Sequence, residues 1–214
     1  MCSRYFVDLS PELRPVIEAA RRSSLAGKMV HDLGRPVVRE GEIKPTDIAA
    51  VIAPDSRGER SVFPMIWGFL LPDRENTRRS QPLINARVET ADLKPTFREC
   101  WKRRRCIVPA SYYYEWEHFV KPDGTKKTGG KYAIQPAGDT VTWLAGLYRM
   151  EDGFPHFTIL TRQPGPETGM LHDRMPLILP QGAIDAWINP NTAAAAVKEI
   201  AAAALTDMVL EKCR

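Results

Sequence analysis

No apolar run in the chain is long enough to cross a bilayer. The longest, Ile66-Trp67-Gly68-Phe69-Leu70-Leu71, falls far short of the roughly 20 residues a spanning helix needs. The N-terminus, MCSRYFVDLS, lacks an apolar core behind a basic start, so no secretory signal is expected. Cysteine is scarce. Cys2, Cys100, Cys106 and Cys213 are too few for a disulfide scaffold, and without export they are expected to stay reduced, in the cytoplasm. Cys100 and Cys106 also lack the CxxC spacing and partner pair of a zinc site, so neither a metal nor a cofactor is expected. There is no internal repeat and no linker. At 214 residues, with 43% hydrophobic and 26% charged side chains, disorder and fibrous folds are excluded and a single domain over 1–214 is expected.

Charge is unevenly placed. Ten basic residues (Arg74, Arg78, Arg79, Arg87, Lys94, Arg98, Lys102, Arg103, Arg104, Arg105) face four acids between Arg74 and Arg105, which gives that segment +6 in a chain of net +4. With Phe97 and Trp101 interleaved, it suits a phosphate track, although a solvated basic face would read the same way.

The 18 prolines and 14 glycines cut the sequence into short segments. Ser10-Pro11-Glu12 opens a helix, with Ser10 as N-cap and Pro11 in the first helical position, running to about Arg22. Strands are expected at Ile48–Ala53, Val62–Trp67, Leu83–Arg87, Cys106–Tyr114, Tyr132–Gln135, Thr142–Tyr148, His156–Thr161 and Pro176–Leu179. Further helices are expected at Thr96–Lys102, Gly182–Ile188 and 191–205, with a last strand at Met208–Glu211. His118–Lys131 reads as a mobile polar hairpin tip. The pattern predicts an α+β fold: a mostly antiparallel, barrel-like core with flanking helices.

Cys2 stands where burial is hard to achieve. A small residue after Met1 permits removal of the methionine, leaving a thiol beside a free α-amine. Such an amine has a pKa near 7.7–8.0 and is partly neutral and nucleophilic at physiological pH. The pair can attack a carbonyl with nitrogen and then close a five-membered ring with sulfur. Asn85 and Arg87, two apart in an extended segment, face one side. Glu115 lies in the aromatic run Tyr112-Tyr113-Tyr114-Glu115-Trp116, where loss of hydration suits a carboxyl to acid–base work. His172 and Arg174 precede an apolar strand.

In order, the chain carries MC-x-RY, P-x-x-WG, NARxET, C-x-VPA followed by YEW, and HDRMP. This set resembles the SOS response-associated peptidase (SRAP) family from Cys2 to about Pro180. The resemblance implies a protein that senses abasic sites in single-stranded DNA and crosslinks to them as a thiazolidine. Cys2 would be the nucleophile, Asn85 the group holding the amine and sugar oxygens, and Glu115 the proton shuttle. His172 would be an acid or base on the sugar or phosphate side. It also implies phosphate contacts from Arg4, Arg87 and Arg174, base stacking on Trp67 and Trp116, and Thr161 near the phosphates. A monomer without membrane association is expected. The sequence departs from the family pattern at Ser3 (usually glycine), Arg162 (usually threonine) and Tyr112-Tyr113, which bears on affinity rather than chemistry. Two other readings remain: an N-terminal-nucleophile cysteine peptidase, although only Met1 precedes Cys2, and a non-catalytic single-stranded DNA-binding module. His31, His118 and His156 read as structural or surface residues.

Overall fold

The computed structural model describes residues 2–71, 81–120 and 123–213; Arg74, Arg78 and Arg79 of the basic segment lie outside these. In chain order the elements are β1 (Arg4–Val7), α1 (Leu13–Arg22), α2 (Ser24–Leu33), β2 (Gly41–Ile43), β3 (Ile48–Pro54), β4 (Arg60–Trp67) and β5 (Asn85–Arg87). They continue with α3 (Val88–Ala91), α4 (Pro95–Arg103), β6 (Arg105–Ala110), β7 (Tyr112–Val120), β8 (Lys126–Pro136), β9 (Thr142–Glu151) and β10 (Phe154–Arg162). The last are α5 (Pro166–Gly169), β11 (Met175–Pro176), α6 (Ile184–Ile188), α7 (Ala194–Ala202) and β12 (Met208–Lys212).

Five strands close on themselves in the order β10-β4-β3-β6-β9, with β9 pairing back onto β10. Closure removes the free edges of the sheet. Every pair in this ring is antiparallel except β4 with β10, where Ile66 faces His156. β3 and β6 are buried almost throughout, as apolar runs such as Ile48-Ala49-Ala50-Val51-Ile52-Ala53 require when both faces are covered. The far end of β10 also carries β5 in parallel and β11 antiparallel. A second, fully antiparallel sheet runs β12-β8-β7-β1-β2 and packs on the barrel. β1 alternates half-buried and buried positions, turning Tyr5 and Val7 inward, and the Tyr5 ring lies 5.2 Å from that of Trp67. Among the described residues no helix is long and apolar enough to cross a membrane.

Several expectations need correcting. Cys106–Tyr114 is not one strand but two, β6 in the barrel and β7 in the outer sheet. The chain changes sheet at Ser111, whose N–H donates to the Phe6 carbonyl at 2.8 Å and whose hydroxyl accepts from Asp8 N at 3.0 Å. The expected tip at 118–131 is shorter, because His118 still lies in β7 and Lys126–Lys131 in β8. The first helix begins at Leu13 with Glu12 as its N-cap, so Ser10 and Pro11 lie in the turn before it, although Ser10 Oγ still accepts from Leu13 N at 3.4 Å. α2, β1 and β2 were not expected. Gly68 shows why tryptophan is followed by glycine in the P-x-x-WG motif: its φ is +116°, and a Cβ there would sit 2.6 Å from the Pro82 Cβ.

Arg105 leaves the basic surface altogether. It is 1% exposed and donates to the carbonyls of Trp101, Lys102, Trp187 and Asn189, tying the ends of α4 and α6 together. Burial pushes its pKa down to about 10, so it stays charged near neutrality and its donors stay committed. Arg105→Met strands buried carbonyls and should cost about 3–5 kcal/mol of unfolding free energy. Urea melts measure this, and a loss under about 1 kcal/mol would show that the carbonyls find other donors.

Candidate active site

β1 is an inner strand of the outer sheet, paired with β2 on one side and β7 on the other, so the residues leading into it are drawn into the interior. Cys2 is 0% exposed, its thiol 3.6 Å from the Arg4 carbonyl. Burial raises the thiol pKa far above its ordinary value, and the negative charge of Glu115 raises it further. Asn85, at the start of β5, donates its amide N–H to the Cys2 carbonyl at 2.8 Å. Cys2, Asn85 and Glu115 therefore meet although 83 residues separate the first two. Glu115 is 4% exposed.

His172 approaches from the other side, in the loop before β11. Its Nδ1 lies 2.6 Å from an Asp173 carboxylate oxygen and 3.0 Å from the Arg174 backbone N–H, which fixes the ring through that nitrogen. The loop is anchored by Arg174, which is 5% exposed. Its guanidinium pairs with both oxygens of Glu89 at 2.8 Å and donates to the Thr161 carbonyl at 2.7 Å. The NARxET and HDRMP motifs are thus one physical unit. Arg174 in turn holds the Glu89 carboxyl below its usual pKa.

The residues expected to contact DNA separate into two groups. Arg87 is exposed and Trp116 half-buried. Arg4 is half-buried and shares Glu42 with Lys131, at 3.0 and 2.7 Å. Trp67 is a correction. It is 0% exposed, donates its indole N–H to the Ile84 carbonyl at 3.0 Å and stacks on Phe157, so it fills the core and has no free face for a base. Thr161 is likewise fully buried against Arg174, and Arg174 is already neutralised by Glu89. Both act on the position of His172 rather than on an open phosphate surface. Arg162 points away from the site, donating to the Ala204 carbonyl at 3.1 Å.

Other residues were missed. The Tyr5 and Tyr113 hydroxyls and Asn85 Oδ1 are buried without a hydrogen-bond partner among the described residues, and burial pushes both tyrosine pKa values well up. His118, read as structural, lies with its ring 5.4 Å from that of His172. Glu115, His118 and His172 each bring a ligand-type atom within 4.8 Å of the others. Three residues apart, Glu115 and His118 would face opposite sides of a regular strand. The β7–β8 pairing slips between Trp116 and His118, and the added twist turns both toward one point. A cleft of about 460 Å³ opens here, lined by His118, Phe119 and the segment Gly169–Asp173. Phe119 and Met170 stand exposed at its rim, 45% and 74%. His156 is structural as expected, buried with Nδ1 2.7 Å from the Gly68 carbonyl.

Burial lowers the His172 pKa, outweighing the opposite pull of Glu115, so the folded chain resists protonating it. Below about pH 6.5 an unfolded histidine takes up a proton that folded His172 refuses. Stability should therefore fall as pH drops through that value, and His172→Asn should flatten this part of the profile. Urea midpoints measured from pH 8 to pH 5 check it; an unchanged slope in the variant contradicts it.

The model of the SOS response associated peptidase (SRAP) family matches residues 1–212. Among similar curated proteins, abasic site processing protein YoaM of Bacillus subtilis is 34% identical over 130 residues, covering 58% of this chain and 55% of its own. Abasic site processing protein YedK of Escherichia coli is 30% identical over 143 residues, covering 65% and 60%. The chain thus spans a little over half the length of these relatives. A crystal structure of a Bacteroides thetaiotaomicron protein aligns with TM-score 0.72 at 22% identity, over 100% of this chain and 92% of that one. One from Bordetella bronchiseptica aligns with TM-score 0.68 at 22% identity, over the whole of both. The barrel with its outer sheet is therefore a known fold, and the chain belongs to the SRAP family.

Proposed function

We propose that this protein processes abasic sites in single-stranded DNA by bonding to them covalently through Cys2, once Met1 has been removed. The observation that carries the reading is the meeting of Cys2, Asn85 and Glu115 from three distant segments, beside a cleft that ends at His172. The names of the curated relatives support abasic DNA as the substrate class.

The environment of Cys2 sets the order of steps. Its thiol is held protonated by burial and by Glu115, whereas an α-amine is partly neutral near pH 7. The amine therefore attacks first, at the C1′ aldehyde of the ring-opened deoxyribose. Glu115 takes the proton that the α-ammonium sheds on becoming the nucleophilic amine and gives it to the departing hydroxyl; water leaves, and an iminium forms. The thiol then adds to the same carbon: a C–S bond forms, the C=N becomes C–N, and the thiol proton passes to the carboxylate. One water is lost overall and the product is a thiazolidine. Asn85 keeps the Cys2 backbone in place during both additions, and neutral His172 takes the proton of the C1′ hydroxyl as the sugar ring opens and returns it to the ring oxygen. Arg87 and Arg4 meet phosphates, while Trp116, Phe119 and Met170 offer apolar surface to flanking bases. An abasic nucleotide has no base to unstack, which lowers the cost of drawing it into the cleft.

The peptidase reading needs a ready thiolate, and the raised thiol pKa runs against it. A plain DNA-binding module would leave Cys2 idle. Incubation with single-stranded DNA carrying one abasic site should give a heat- and SDS-stable adduct on a denaturing gel, absent with an intact strand and with Cys2→Ala. Glu115→Gln should slow its formation by about 10²–10⁴-fold. No adduct from protein whose mass confirms an N-terminal Cys2, or equal adduct from Cys2→Ala, would overturn the reading.

A further inference from the structure

The proposed DNA chemistry makes no use of His118. It is an exposed residue of β7, yet its ring lies edge-on to that of His172 at 5.4 Å, and its ligand-type nitrogen converges with those of Glu115 and His172. Two imidazoles and one carboxylate within 4.8 Å of one another are a donor set suited to zinc and its neighbours in the transition series, leaving a position open for water or another ligand. The ring of His172 is held from behind, its Nδ1 accepting from the Arg174 backbone N–H at 3.0 Å with an Asp173 carboxylate oxygen 2.6 Å from the same atom, so its position beside Glu115 and His118 is fixed. The cleft of about 460 Å³, with His118 and His172 in its wall, gives an ion a way in.

We propose that Glu115, His118 and His172 form a binding site for a divalent transition metal, Zn²⁺ being the ion of choice. Occupancy of this site excludes reaction at Cys2. The second half rests on the abasic-site reading: an ion held by Glu115 and His172 ties up the groups that would move protons there. The first half does not depend on it. The site arises from a local accident of strand geometry. Without the slip in pairing after Trp116, His118 would lie on the opposite face from Glu115.

Two measurements test the halves separately. Isothermal titration of chelator-treated protein with ZnCl₂ should show one ion bound per chain. His118→Asn should weaken that binding by at least about tenfold, as loss of a ligand or its support does, while the exposed His31→Asn should leave it unchanged. Because an N-terminal aminothiol can itself hold zinc, Cys2→Ser is titrated alongside. Binding lost in Cys2→Ser but kept in His118→Asn would overturn the site, as would no binding at all. In the adduct assay, ZnCl₂ should suppress the native protein and leave the yield of His118→Asn unresponsive. Zinc binding at the triad without suppression would overturn the exclusion alone. Failure of every protein to form an adduct would sink the abasic-site reading, with the titration still deciding the site.

Discussion

Pairing the N-terminal strand on both sides within a sheet is the constraint on which the candidate site depends. A chain end is ordinarily free to fray, because only water competes for its backbone groups. Here β1 is hydrogen-bonded on both sides, Tyr5 opposite Ile43 and Tyr113, and its inward ring packs on Trp67 at the barrel mouth. The residues before it have nowhere to go but inward. Cys2 is consequently buried within reach of a carboxylate, and its carbonyl is held by Asn85. The same burial keeps its sulfur protonated, which is why the proposed reaction begins at the amine.

The other side of the site is built on a different principle. His172 sits in a loop, and a loop places a side chain well only when something stiff holds it. Arg174 does so: its pairing with Glu89 and its bond to the Thr161 carbonyl fasten the loop to α3 and β10 together. Arg105 performs a comparable task further away, where a buried cation closes the ends of two helices. In both cases arginine serves because its planar fork can satisfy several oxygens at once. Two arginines that read as part of a basic surface, Arg105 and Arg174, are therefore buried and committed to the fold.

This explains what could and could not be read from the residues in order. The barrel strands were legible because each carries an apolar run, such as Ile48–Ala53 in β3 and Cys106–Ala110 in β6, that suits burial between layers. β1 was not, because Arg4-Tyr5-Phe6-Val7 is too short to show a period and takes its partners from β2 and β7. The split of Cys106–Tyr114 at Ser111 was invisible because both halves are apolar and only the change of sheet separates them. Cys2, Asn85, Glu115 and His172 were singled out by their motifs, and the fold does gather them. Arg174 and Trp67 were assigned to DNA from residue type, which does not distinguish an exposed arginine or tryptophan from a buried one. His118 went unnoticed because its approach to Glu115 depends on one slipped register.

In the proposed product the nitrogen and sulfur of Cys2 both end on the sugar carbon. Mass spectrometry of the N-terminal peptide released from the DNA adduct tests it most directly. A thiazolidine should give a peptide beginning at Cys2 that carries the sugar remnant with one water lost, unchanged in mass by borohydride because no imine remains. A remnant on a lysine, a Cys2 adduct that borohydride reduces, or one linked through sulfur alone would contradict it.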